Sequence, residues 1–320
     1  MTREGLARFL LPAFIALPLL GQSPDAKPDA TSPSALKLSG YLQAREVYQS
    51  GSGLTASINR ARLAASGTLV EVITWRLQAE FRTGSVGTGR ASVSLQDAYV
   101  RFSPSKWAVQ AGQFKTPFSR EFITTLADVE TADRAAAVDS LAPKRDIGVM
   151  GEYSSPWLTV LGGVFNGEGQ NITANADSTV LGVARMALRP LAELSVAINA
   201  ARYFGDSTRY GVDIAYEPGW GTLKAEYLGQ HRDATTGRDD WGWYGLGAVP
   251  LSPNVQVVGK YEEFARPAIS TPVKIRTWTA GINIFPGTRN LRLTFDYASR
   301  AIGDPGLRKG RVLGQVQVKF

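Results

Sequence analysis

The chain has 320 residues, 20% of them charged and 10% aromatic, with 33 Gly, no Cys, one His and a formal charge of +7 at neutral pH. That length suits two water-soluble domains or one large barrel. A mean hydropathy of −0.10 and the lack of any run of about 18 apolar residues exclude a bundle of membrane helices, and a lone histidine excludes a His-rich metal cluster.

At the N-terminus, Arg3 and Arg8 precede an apolar stretch, residues 9–20, that is too short to span a bilayer. It reads as a secretory signal occupying residues 1–23, with the small residues Gly21 and Ser23 at its end. An absence of cysteine fits an oxidising destination. It also excludes a lipoprotein signal. Residues 24–35, PDAKPDATSPSA, have the composition of a flexible linker.

From residue 36 the chain alternates apolar and polar side chains, the period of a strand with two unlike faces. Sixteen such segments are predicted, at roughly 36–48, 55–68, 70–83, 92–103, 106–112, 145–155, 157–165, 178–190, 191–203, 208–217, 221–232, 239–249, 253–264, 274–286, 289–300 and 309–320. In the third, Trp75, Leu77, Ala79 and Phe81 oppose Arg76, Gln78, Glu80 and Arg82. In the fourteenth, Trp278, Ala280, Ile282 and Ile284 oppose Thr277, Thr279 and Asn283. Leu291, Leu293, Phe295 and Tyr297 oppose Arg292, Thr294 and Asp296 in the fifteenth. The last puts Val312, Gly314, Val316, Val318 and Phe320 on one face, and Leu313, Gln315, Gln317 and Lys319 on the other. Turn signals such as Glu217-Pro218-Gly219 and Phe285-Pro286-Gly287 separate several of them.

The polar face carries full charges, among them Asp97, Lys224, Glu226, Lys260 and Asp296, whereas the other face is apolar with aromatics near strand ends. A soluble sandwich would bury those charges at high cost. An apolar outside, a charged inside and a closed sheet without free edges describe an all-β transmembrane antiparallel barrel. Sixteen strands enclose a space too wide for side chains to fill, which leaves a water-filled lumen. Residues 113–144 interrupt the alternation once, with charges of both signs, and are expected to fold inward as a constriction loop rather than to lie in solvent. Phe114, Pro117 and Phe118 are expected to pack it on the wall. The barrel proper is thus residues 36–320.

DAYVRF (97–102), GQFKTPFSREF (112–122), ADRAA (132–136), APKRDIGVM (142–150) and GVFNGEGQN (163–171), in this order and spacing, together with RARL (60–63), resemble the phosphate-selective porin O and P family. The resemblance is carried by about residues 38–170. It implies a 16-stranded outer-membrane porin, a homotrimer in the outer-membrane lipid, whose third loop enters the lumen and whose pore passes small anions such as phosphate. It also implies a C-terminal Phe320 that the barrel assembly machinery reads. Where the namesake members are noted for lysine clusters, this chain has 25 Arg and 10 Lys. Arginine stays charged and grips phosphate bidentately.

Conduction favours several moderate anion sites in series over one tight site. The expected series is Arg60, Arg62, Arg76, Arg101, Lys115, Arg120, Arg134 and Arg145. The first four face the lumen by alternation, and Lys115, Arg120 and Arg134 reach it only if the loop does. The bland reading of each is a salt-bridged wall residue. No cofactor is called for. A weakly selective general porin is the alternative, with a structural anchor or an outer-membrane hydrolase further off. The hydrolase reading rests on His231, which lies at a strand end without a serine motif nearby. Cationic residues spread over alternating strands do not form a nucleic-acid surface.

Overall fold

The computed structural model describes residues 36–83, 91–175, 178–233, 239–266, 273–303 and 306–320. The expected signal (1–23) and linker (24–35) lie outside the described residues.

Alternation produces strands wherever it was read. They are β1 (Lys37–Gln49), β2 (Gly53–Val70), β3 (Ile73–Arg82), β4 (Ser92–Phe102), β5 (Trp107–Lys115), β6 (Arg145–Ser154), β7 (Leu158–Phe165) and β8 (Leu181–Leu191). After them come β9 (Leu194–Tyr203), β10 (Ser207–Tyr216), β11 (Thr222–Arg232), β12 (Asp240–Ser252), β13 (Val255–Arg266), β14 (Val273–Ile284), β15 (Leu291–Gly303) and β16 (Gly306–Lys319). Each pairs antiparallel with its sequence neighbours, and β1 pairs with β16 to close the barrel. The closing register sets Gln43 opposite Gln317 and Arg45 opposite Gln315. Turns at the end holding residue 37 and Lys319 are short. The other end carries the longer connections, so the molecule has a terminus end and a loop end.

Facing follows the sequence. Trp278, Phe295, Tyr297, Val312 and Val316 are exposed on the outer wall, whereas Glu80, Glu226, Lys260, Arg292 and Asp296 are buried inside. An outer wall of apolar side chains matches a hydrocarbon surrounding, and closure pairs the backbone polar groups that lipid cannot satisfy.

One boundary differs from expectation. The fifth strand runs past Gly112 to Lys115, so the inserted segment is 116–144 rather than 113–144. Gly112 has φ +127°, and a Cβ there would lie 2.1 Å from the Ala98 carbonyl. Glycine therefore lets β5 kink against β4 and leave the wall without ending. The pairing of β4 with β5 is confined to Ala98–Phe102. Above it, Gln113 Nε2 donates to the Leu95 and Gln96 carbonyls, which replaces the missing ladder.

The inserted segment holds two short helices, α1 (Arg120–Ile123) and α2 (Ala136–Leu141). Ser119 caps α1, its Oγ accepting from the Phe122 N–H. The apolar core lies inside the barrel, where Phe118, Phe122, Val138 and Leu141 of the segment meet Phe165, Leu181, Leu228 and Leu246 of the wall. Phe118 and Leu141 are fully buried. Losing an aromatic from such a site costs about 3–5 kcal/mol, so the segment is held by packing as well as by polar ties.

Candidate functional site

The inserted segment crosses the lumen and is tied to the wall from β8 round to β1. Arg120 Nε donates to Asp213 Oδ1 on β10 at 2.8 Å, and Asp213 is itself gripped by Arg185 of β8. Glu226 of β11 accepts the Arg120 and Glu121 N–H groups. Farther along, Lys224 holds Glu130 at 2.5 Å, and Arg292 and Gln317 donate to the Val129 and Ala127 carbonyls. Asp296 accepts the Ala132 N–H, and Lys260 donates to the Asp133 carbonyl. Asp133 is clamped between Arg45 of β1 at 2.8 Å and Arg311 of β16 at 2.5 Å. Burial pushes its carboxyl up, but the two arginines prevail and hold it down to about 2. These ties leave the β2–β6 side of the lumen uncovered.

Open space lies on both sides of the segment. A cavity of about 520 Å³ opens toward the terminus end, lined by Tyr41, Arg62, Arg76, Tyr99, Gln110 and Lys115 among others. A second of about 620 Å³ faces the loop end, with Arg134, Asp139, Lys260, Arg300, Lys309 and Arg311 on its walls. Lys115 of the first cavity and Arg134 of the second meet at the partition, because both donate to the Thr124 carbonyl. Phe122 lies beneath them. Arg134 Cζ is 5.1 Å, Lys115 Nζ 5.6 Å and Lys144 Nζ 6.0 Å from its ring centroid, within cation–π range.

The eight expected site residues divide by partner. Arg62 is paired with Glu80, which Arg82 also holds. Arg76 and Arg145 share Asp97 at 3.8 and 2.7 Å, and Arg101 pairs with Glu152 at 2.9 Å. Arg120 points across to β10 and serves as a tether. Arg60, Lys115 and Arg134 have no carboxylate in ion-pair reach among the described residues. Lys115 donates to the Ile123 and Thr124 carbonyls, and Arg134 to those of Glu121, Phe122 and Thr124. Burial pushes the Arg134 guanidinium down to about 10, with Arg60 and Arg62 adding to that and Asp139 and Glu121 opposing it. It stays charged at neutral pH.

Three residues of the site were not singled out from the sequence. Arg45 and Arg311 lie on the inward faces of their strands, which the alternation does mark, but their partner Asp133 is far away along the chain. Lys144 was noted only as one loop charge among several. His231 is exposed at the end of β11, its Nδ1 2.8 Å from Asp239 Oδ1.

The family model described as phosphate-selective porin O and P matches residues 39–192, which is β1 to the end of β8. No curated protein matches the sequence. Among solved structures, the trimer form of OmpT, an outer membrane protein of Vibrio cholerae, is similar with a TM-score of 0.70 at 10% identity, over 90% of this chain and 100% of that one. An anion-selective porin from Comamonas acidovorans gives 0.66 at 16% identity, over 90% and 100%. Salmonella typhi OmpF, in complex with daunomycin, gives 0.68 at 12%, over 89% and 97%. At these identities the likeness is one of fold.

Proposed function

We propose that this chain, whose first eight strands match the phosphate-selective porin O and P family and whose barrel is that of an outer-membrane channel, is a diffusion porin that prefers small anions. The supporting observation is the uneven pairing of charge at the constriction. Asp128, Glu130 and Asp133 of the inserted segment are engaged by Lys319, Lys224 and Arg45 with Arg311. Arg60 and Arg134 have no carboxylate in ion-pair reach among the described residues, and Arg134 keeps its charge for whatever passes.

An anion entering the cavity of Arg62 and Lys115 reaches Arg134 within the width of the partition. Unit charges about 4 Å apart at an effective dielectric near 20 are worth roughly 4 kcal/mol. Backbone carbonyls partly occupy each cation, so no single site is a trap. Inorganic phosphate is the proposed favoured passenger, since the two arginines offer planar forks that match its oxygens. The proposal includes a homotrimer in the outer membrane with the terminus end periplasmic, export by residues 1–23 and assembly read from Phe320.

A weakly selective pore is favoured by one observation, that Arg62, Arg76, Arg101 and Arg145 are matched by carboxylates. Planar-bilayer recording separates the two readings. Reversal potential in a KCl gradient is expected on the anion side, and millimolar phosphate is expected to reduce chloride current. Cation preference would overturn the anion reading. Unchanged chloride current would remove phosphate from it.

A further inference from the structure

Three of the runs that carry the family resemblance, 112–122, 142–150 and 163–171, meet at one place in the wall. β5 pairs with β6 as far as Lys115, opposite Arg145, but with β4 only as far as Gln113, opposite Ala98. The stretch of β4 from Ser94 to Asp97 therefore has no strand on its β5 side, although its other side pairs with β3. A bulge at Gln96, between the Ala79–Leu95 and Gln78–Asp97 pairs, presents two successive carbonyls to this opening. Unpaired carbonyls in a membrane wall are costly, since lipid supplies no donors.

Side-chain amides fill the place of the absent ladder. Gln113 Nε2 donates to the Leu95 and Gln96 carbonyls. Gln170 Nε2 donates to the Leu95 carbonyl as well, at 2.6 Å, and to Ser94 Oγ at 2.7 Å. Asn171 joins the two: its N–H donates to Gln113 Oε1 at 2.6 Å, its Oδ1 accepts from Gln113 Nε2 at 2.9 Å, and its Nδ2 donates to Ser94 Oγ at 3.2 Å. The turn that brings Gln170 and Asn171 here is held by Asp146, whose carboxylate accepts the Gly167 N–H at 2.7 Å and the Gly169 N–H. Positive φ at Gly167, Gly169 and Asn171 gives the turn its shape, and Asn is the side-chain-bearing residue that best tolerates it. Gln113 is 4% and Asp146 2% exposed, so the network lies within the wall.

We infer that Gln113, Asp146 and the 166–171 turn are positioning residues for the constriction: they close the opening that β5 leaves in the wall and fix where the inserted segment departs from it. The inference rests on the reading of this barrel as a diffusion channel. A primary amide offers the donors and the acceptor of a peptide unit, so Gln113 extends the sheet by its side chain where the backbone has turned inward. What it fixes begins two residues away. Lys115 donates to the Thr124 carbonyl that Arg134 also holds, so the place of Gln113 is passed through Lys115 and Thr124 to the guanidinium at the partition. Arg145, next to Asp146, stands opposite Lys115 and bonds Asp97 at 2.7 Å. Lys115 and Arg145 both line the cavity toward the terminus end. Contacts inside the wall thereby set the position of side chains along the ion path.

The test is planar-bilayer recording of the full chain, which has no native cysteine. Gln113→Met keeps the side chain's length and removes its amide. It is expected to spend about ten times longer in conductance sublevels, the change that a buried acceptor left unpaired produces, and to shift its reversal potential from the parent's. Asn171→Gly keeps the φ of the turn and drops the amide; it should act in the same direction, and it carries the test if Gln113→Met fails to fold. In the Gln113→Met background, Ser94→Cys and Gln170→Cys joined by a short bis-thiosulfonate reagent should return steady channels and the parent's reversal potential, and reductant should undo this. Steady channels with the parent's reversal potential in both amide variants, even with a lowered unfolding temperature, would overturn the inference by making these contacts structural only. So would sublevels that the bridge leaves unchanged. Cation preference of the parent chain strikes the anion reading alone, and the sublevels still decide this one.

Discussion

Lys115 and Arg134 donate to one carbonyl, that of Thr124, at 2.9 and 3.0 Å. Two basic side chains converge on a single backbone oxygen at the partition between the lumen's two open spaces. Neither has a carboxylate in ion-pair reach among the described residues, and the Arg134 guanidinium carries positive charge there. The two differ in how much structure depends on them. Lys115 contacts two carbonyls and Arg134 three, the latter spanning the end of α1. Lys115→Gln is expected to leave the anion-to-cation permeability ratio little changed at neutral pH, with steady channels. Arg134→Gln should lower that ratio several-fold and add flicker between conductance levels. Quiet channels in both variants would remove the structural role given to Arg134.

Arg60 and Arg62 are near neighbours on β2 with opposite prospects. Arg60 has no carboxylate partner among the described residues, whereas Arg62 is buried against a fully buried Glu80. Reversing an unmatched lumen charge changes the local potential by two units, worth on the order of 1 kcal/mol or more even about 10 Å away. Arg60→Glu should thus shift reversal potential toward cations. Arg62→Glu leaves two carboxylates together and costs about 3–5 kcal/mol of stability. Its signature is a lower unfolding temperature of the detergent-solubilised barrel. Equal effects of the two changes on both measurements would contradict this division.

Asp133 fixes the middle of the inserted segment to β1 and β16. A carboxyl lowered from an unfolded value of about 3.9 to about 2 favours the tied state above pH ~4. That contribution is lost as pH falls through the folded value, because the protonated form gives up its ion pairs. Channel noise should be flat from about pH 8 to 4 and rise below roughly pH 3. Asp133→Asn should be noisy throughout. An unchanged variant at neutral pH would show that packing alone holds the segment.

Gly242 on β12 marks where α2 rests on the wall. A Cβ there would lie 2.6 Å from Ala137 Cβ and 2.7 Å from the Glu263 carbonyl. No strained φ is involved at this position; the requirement is space. Gly242→Val should push α2 into the lumen and reduce single-channel conductance, at a cost of about 1–3 kcal/mol for overpacking. Conductance at the parent level would mean that α2 has room to slide.

The facing of nearly every strand was legible before any fold was known. Side chains on a strand alternate by local geometry, so Arg76 and Trp75 must point to opposite sides whatever surrounds them. The single interruption after the fifth strand was legible for the same reason, since it lacks the period that every other segment shows. Its start was misplaced at Gly112, where a glycine reads as an end although it serves here as a kink.

Pairing was not legible. Whether Arg62 meets a carboxylate depends on Glu80 arriving beside it across the sheet, and Arg45 meets Asp133 only after the segment has crossed the lumen. Which charges face inward could be read from the chain, because facing depends on a residue and its immediate neighbours. Which of those charges remain unmatched was settled by the folded barrel. Ion pairing is a short-range event between residues that register, barrel closure and the inserted segment bring together from distant parts of the chain.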